Sequence, residues 1–166
     1  MDTTTFFTIN RQGDRMKNRY VYLFEVIHHH IIEMDNQNHP IYDSKFIGLY
    51  SHKNQAELAV LKFKTLPGFI LYPSGFCISR RPCYISDANV QKMSGVIVYM
   101  PYHEYYIPEE QCDYCTRGNY FYSRREAEEV LNQWKNDKIL SLHPEGFAIC
   151  EYTLDFDSVI WNEGFD

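Results

Sequence analysis

Two stretches of this chain repeat one another. Residues 50–76 read YSHKNQAELAVLKFKTLPGFILYPSGF, and residues 122–147 read YSRREAEEVLNQWKNDKILSLHPEGF. With a one-residue gap, Ala56 aligns with Ala127, Phe63 with Trp134, and Pro73-Ser74-Gly75-Phe76 with Pro144-Glu145-Gly146-Phe147. Self-similarity of this kind points to an internal duplication, and two copies are too few for a solenoid. In both copies the apolar residues fall at i, i+3, i+4 and i+7: Ala56, Ala59, Val60 and Phe63, then Ala127, Val130, Leu131 and Trp134. That spacing predicts one amphipathic helix per copy, laid face-down on a sheet. Ser51 and Ser123 stand where N-caps belong, and Glu126 follows Ser123 at the capping-box distance. Pro67-Gly68 should end the first helix.

Runs rich in Val, Ile, Tyr and Phe flank each helix, as strands prefer. YVYLFEVIHH and KFIGLYS precede the first helix and GFCISRRPCYI follows it. GVIVYMPYHEYY and NYFYS precede the second and GFAICEYTL follows it. The expectation is therefore an α+β protein of two tandem strand–strand–helix–strand units, spanning 20–90 and 95–166, after an N-terminal extension over 1–19. The repeated Pro-x-Gly-Phe marks the turn into the last strand of each unit, with Gly allowing backbone angles other residues resist and Phe anchoring the strand. Residues 31–44 and 107–118 read as long connections suited to recognition, and 85–95 as the link between units.

A motif set extends this reading. Lys45-x-Ile47-Gly48-x-Tyr50-Ser51, Pro67-Gly68-Phe69, Pro73-x-Gly75-Phe76 and Trp161-x-x-Gly164-Phe165 together resemble a family of small, uncharacterised bacterial domains, here in two copies. The second copy departs from the pattern at Lys138-Ile139-Leu140, where Pro-Gly-Phe is missing, and the closing Trp161–Phe165 follows that second copy. Small acidic bacterial proteins of this general kind include immunity proteins that neutralise toxins. The resemblance implies a small α+β fold; the immunity role is an analogy of class.

Charge is divided unevenly. Residues 1–108 hold 11 Lys+Arg against 9 Asp+Glu, and residues 109–166 hold 5 against 13. An acidic half repels nucleic acid and attracts basic partners. The short basic pairs Arg80-Arg81 and Arg124-Arg125 do not amount to a nucleic-acid stripe at a pI near 5.6. No run approaches the roughly 20 apolar residues of a membrane helix, and residues 1–19 lack the pattern of a signal peptide. A cytoplasmic location is expected, with the five cysteines as free thiols.

The chemistry-bearing candidates are few. Cys112-x-x-Cys115 lacks the second ligand pair a zinc site needs. In the triplet His28-His29-His30 strand alternation turns His29 away from the other two. A small metal- or thiol-dependent enzyme using Cys112, Cys115 and histidines is the alternative reading, and a nucleic-acid-associated regulator the second. The leading expectation is a non-enzymatic binder without metal or cofactor. Glu109, Glu110, Asp113, Glu151, Asp155 and Asp157 would steer a basic protein partner, a toxin domain in the most concrete case, with Tyr114 and Tyr152 as aromatic anchors. A homodimer through an exposed sheet edge stays open.

Overall fold

The computed structural model describes residues 19–85, 94–109 and 112–165. Of the expected extension over 1–19, residues 1–18 lie outside them and Arg19 opens the first strand; most of the expected link over 85–95, residues 86–93, lies outside them too. Among the described residues the fold is mixed α+β, with eight strands in one mostly antiparallel sheet and two α-helices. In chain order these are β1 (Arg19–Met34), β2 (Pro40–Tyr50), α1 (Lys53–Phe63), β3 (Phe76–Ile85), β4 (Ile97–Ile107), β5 (Cys112–Arg117), β6 (Tyr120–Phe121), α2 (Arg124–Trp134), β7 (Phe147–Thr153) and β8 (Phe156–Asp157). Hydrogen-bonded neighbours run β5-β4-β6-β3-β1-β2-β8, with β7 also on β4. β3 and β6 pair in parallel, Cys83 opposite Tyr120.

The chain divides into two compact units. Among the described residues the first comprises 22–81, 94–96 and 153–165, and the second 19–21, 82–85, 97–109 and 112–152. The stretch after Tyr152, read from the sequence as the end of the second copy, belongs with the first unit. Its contacts explain this: β8 pairs with β2 through Gly48 and Leu49, and the Trp161 indole N–H donates to the Phe46 carbonyl at 3.0 Å. All four motifs of the resemblance therefore meet in the first unit.

Both helices bury the stripe that the spacing predicts. Ala56, Ala59 and Phe63 are buried on α1; Ala127, Leu131 and Trp134 are buried on α2. Their outer faces differ. Leu58 and Leu61 stand 64% and 63% exposed on α1, whereas α2 carries the i,i+4 pairs Arg124–Glu128 and Arg125–Glu129. The predicted side-chain cap bonds do not form. His52, not Ser51, is the N-cap of α1, and Ser123 caps α2 by position alone; neither position makes a side-chain cap bond. Ser51 is drawn away because its N–H and Oγ both donate to the Asp155 carboxylate, at 2.8 Å each.

The two long connections also prove mostly to be strand. β1 and β2 pair out to Met34 opposite Pro40, and β4 and β5 to Ile107 opposite Cys112. The first turn closes on Asp35, whose Oδ1 accepts the N–H groups of Gln37 and His39 at 2.8 and 2.7 Å. An aspartate that gathers backbone N–H groups in this way replaces a loop with a tight turn.

The repeated Pro-x-Gly-Phe meets matching neighbours in the two units. A Cβ on Gly75 would lie 2.1 Å from the His29 carbonyl oxygen, and a Cβ on Gly146 would lie 2.1 Å from that of Glu104. Neither glycine has a positive φ. The requirement is thus close approach of two backbones, not the unusual backbone angles anticipated from the sequence. The next residue, Phe76 or Phe147, packs its ring on a buried histidine, His28 at 4.6 Å and His103 at 4.2 Å between centroids. Each histidine is 0% exposed and donates Nε2–H to the carbonyl just before the Pro-x-Gly-Phe, Tyr72 at 2.9 Å and His143 at 2.8 Å. A buried imidazole needs such an acceptor to offset its lost hydration.

Candidate functional site

The expected partner-binding residues fall into both units. Glu109, Asp113, Tyr114, Glu151 and Tyr152 are in the second; Asp155 and Asp157 are in the first. Glu110 lies outside the described residues.

In the second unit, Tyr114 stands directly across from Tyr105 in the β4–β5 ladder. The two rings stack at 5.4 Å and 12°, and Tyr105 stacks on His143 at 4.0 Å and 9°. Three near-parallel rings thus form a ladder whose outer rung, Tyr114, is 39% exposed. Tyr106, one position along β4, is 52% exposed. Glu104, Glu109 and Asp113 are exposed around this hairpin, and no Lys or Arg occurs from Ile97 through Thr116. Strand alternation sets Asp113 and Tyr114 on opposite faces of β5. Tyr105, Tyr106 and the ring of His143 were not among the expected anchors. Their signal was the alternation in His103-Glu104-Tyr105-Tyr106, visible only once Tyr105 is known to pair with Tyr114.

The first unit has a counterpart ladder. His30 stacks on Tyr72 at 5.0 Å and on Phe165 at 4.8 Å. Its outer ring comes from the segment after β8, whereas in the second unit it comes from the neighbouring strand. At the corresponding place on β2 stands Asp43, 3.7 Å from the His30 Nε2.

Glu151 and Tyr152 are engaged within their own unit. Glu151 pairs with Arg124, which also holds Glu128, and Tyr152 meets Tyr120 edge-on at 5.5 Å. In the first copy the position of Glu151 is held by Arg80, whose guanidinium lies 3.3 Å from the centre of the Tyr22 ring. Each member of this charge exchange has a partner inside its own unit.

Asp155 and Asp157 are likewise committed. Asp155 sits at φ 62, a left-handed conformation that Asp tolerates, and holds Ser51 ahead of α1. Asp157 accepts the Tyr50 hydroxyl and the Lys62 Nζ at 2.6 Å each. Burial, then the Asp157 carboxylate, pushes the Tyr50 phenol well above its ordinary range, so it stays a donor. These groups line a shallow, open cleft with Gln55, Leu58 and Ala59. Asp155→Ala should lower stability by about 2 kcal/mol, since charge-assisted bonds to Ser51 are lost. Asp155→Asn should cost less, and thermal melts of both variants measure the difference.

The cysteines do not assemble. Cys112 and Cys115 lie three residues apart on β5, so their sulfurs leave opposite faces of the strand. Burial raises the Cys115 thiol and pushes Cys83 up to about 12, which lowers the thiolate fraction at neutral pH. Cys77 is exposed. Among the described residues no group of three His, Cys, Asp or Glu side chains is placed to hold a metal ion. Among them also, no helix is long and apolar enough to cross a membrane.

No protein-family model, curated protein or solved structure matches this chain. The functional reading rests on the site geometry.

Proposed function

We propose that the protein is a non-enzymatic binding module for a basic protein partner, and that the end of the β4–β5 hairpin is its contact surface. The observation that carries this reading is the outer rung of the ring ladder, Tyr114, exposed on a hairpin that bears Glu104, Glu109 and Asp113 and no cationic residue through Thr116. Tyrosine presents a large, rigid, amphipathic contact area, and rings of this kind supply most of the energy at protein interfaces. Stacking on Tyr105, itself stacked on His143, holds Tyr114 in one orientation before binding, which reduces the ordering cost on association. The carboxylates steer a cationic partner and raise its association rate. Glu110, Glu151 and Tyr152 extend the same acidic half of the sequence. Asp155 and Asp157, already bonded to Tyr50, Ser51 and Lys62, contribute field more than contact. The fold also fits two tandem strand–strand–helix–strand units of common origin, as the matched histidine–carbonyl and ring–ladder geometry supports. In its most concrete form the protein is a cytoplasmic bacterial immunity protein that blocks a basic toxin.

The test is a pull-down from native cells, with the wild type and a Tyr114→Ala/Asp113→Lys double variant as baits. A protein of alkaline pI kept by the wild type and lost by the variant supports the reading. Equal retention by both baits, or recovery only of acidic proteins, sinks it. With the partner in hand, Tyr114→Ala should weaken affinity by about 2 kcal/mol, roughly 30-fold. Asp113→Lys should slow association and flatten its salt dependence.

A further inference from the structure

The segment after β8 is held to the first unit at Ser158, whose N–H donates to the Ile47 carbonyl at 2.7 Å, and at Trp161 and Phe165. The Trp161 indole N–H donates to the Phe46 carbonyl, and the Phe165 N–H donates to the Pro67 carbonyl at 3.1 Å. The Phe165 ring stands edge-on to Phe69 at 4.6 Å and lies flat on His30. Just before Trp161, Val159 and Ile160 are 79% and 73% exposed. The Trp161 and Phe165 rings pack on the unit's core and against Lys45, while Val159, Ile160, Asn162 and Glu163 are exposed, an arrangement that can open without unfolding its unit.

Beneath it lies an unusual concentration of basic groups. His28 is fully buried, and its Nδ1 has no hydrogen-bond partner. Lys45 is 5% exposed, and its Nζ sits 4.2 Å from the centre of the Phe165 ring and 5.1 Å from that of Trp161. Lys45 is the residue paired with His28 across β1 and β2. The corresponding partner of His103 in the second unit is Thr116, so only the first unit sets a cation against its buried histidine.

We propose that Val159–Phe165 is a pH-gated strap, closed over the first unit while His28 is neutral and released when His28 takes a proton. A protonated His28 would be a second cation beside Lys45 in a space where the carboxylate in contact, Asp43, already serves Lys45 and His30. Burial, with His30, Lys45 and His29 acting in the same direction against the bond to Tyr72, already holds His28 below its ordinary value. Lys64, over the far ring Phe76, adds a further positive charge on that side. Hydration of the charged ring is reached most cheaply by lifting the strap, because its hold is two rings deep. The inference is independent of the partner reading above.

The two tryptophans allow a direct test. In full-length Trp134→Phe protein, Trp161 emission should shift to the red as pH falls from 7.5 to 5. The closed-to-open ratio should fall by at most about tenfold per pH unit, the slope of one proton. In Trp161→Phe protein, Trp134 emission should stay constant over the same range. His28→Gln, which can still donate to Tyr72, should abolish the Trp161 transition. If that variant does not fold, Lys45→Met provides the second reading: with the neighbouring cation gone, protonated His28 is tolerated under the closed strap and the pH-driven change in the closed-to-open ratio should shrink. A flat Trp161 trace, both tryptophans moving together, or a Lys45→Met transition of undiminished size would overturn the proposal.

Discussion

Gly75→Ala and Gly146→Ala should each lower stability by about 3 kcal/mol, the upper end of what overpacking costs. The added Cβ would stand 2.1 Å from a carbonyl oxygen in each case, of His29 or of Glu104. That oxygen belongs to a strand backbone and cannot turn aside as a side chain would. The neighbouring strand must shift, and the histidine just before it, His28 or His103, loses its fit to the carbonyl it donates to. Gly95 is the control. A Cβ there meets only the Phe156 ring at 3.8 Å, so Gly95→Ala should cost only the left-handed backbone term of about 1–2 kcal/mol at φ 76. Urea melts with unchanged slope would place the three variants in that order. If Gly75→Ala melts within about 1 kcal/mol of wild type, close approach is not why the phrase is repeated.

Phe69→Ala should cost about 4 kcal/mol, within the range for deleting a buried ring. Phe69 is 0% exposed and meets four rings: His28 at 4.9 Å, Phe63 at 5.6 Å, Phe76 at 5.5 Å and Phe165 at 4.6 Å. It is the hub on which the helix, the Pro-x-Gly-Phe turn and the strap converge. Phe69→Leu, which matches the second unit's Leu140, should recover more than half of the loss. A Leu variant as unstable as the Ala variant would mean that ring shape, not volume, decides the site. Loss below about 1.5 kcal/mol for Ala would remove Phe69 from that central position.

Much of the local structure was legible in the sequence. The stripe Ala56, Ala59, Phe63 and its counterpart Ala127, Leu131, Trp134 is a short-range pattern, and helix geometry alone turns it into a buried face. The splitting of His29 from His28 and His30 followed from strand alternation in the same way: His29 bonds Ser44, while the other two face Phe165. Capping was misread because Ser51 has the right residue type at the right place, yet a carboxylate 104 positions away outcompetes the helix end for it. The candidate contact surface was half legible. Asp113 and Tyr114 stood out by composition, but Tyr105 and His143 became anchors only through a cross-strand register and a stack over 38 residues of sequence.

Periodicity within a dozen residues, together with one phrase written twice, was enough to establish two helices on a sheet, because such patterns act through neighbours along the backbone. Folding in three dimensions decided where the last residues go. Trp161 and Phe165 return to Lys45, Phe46 and Pro67, and Asp155 and Asp157 spend their charge on Ser51, Tyr50 and Lys62. Contacts between residues a hundred positions apart leave no period in the chain, so the complementarity of the assembled surfaces alone selects them.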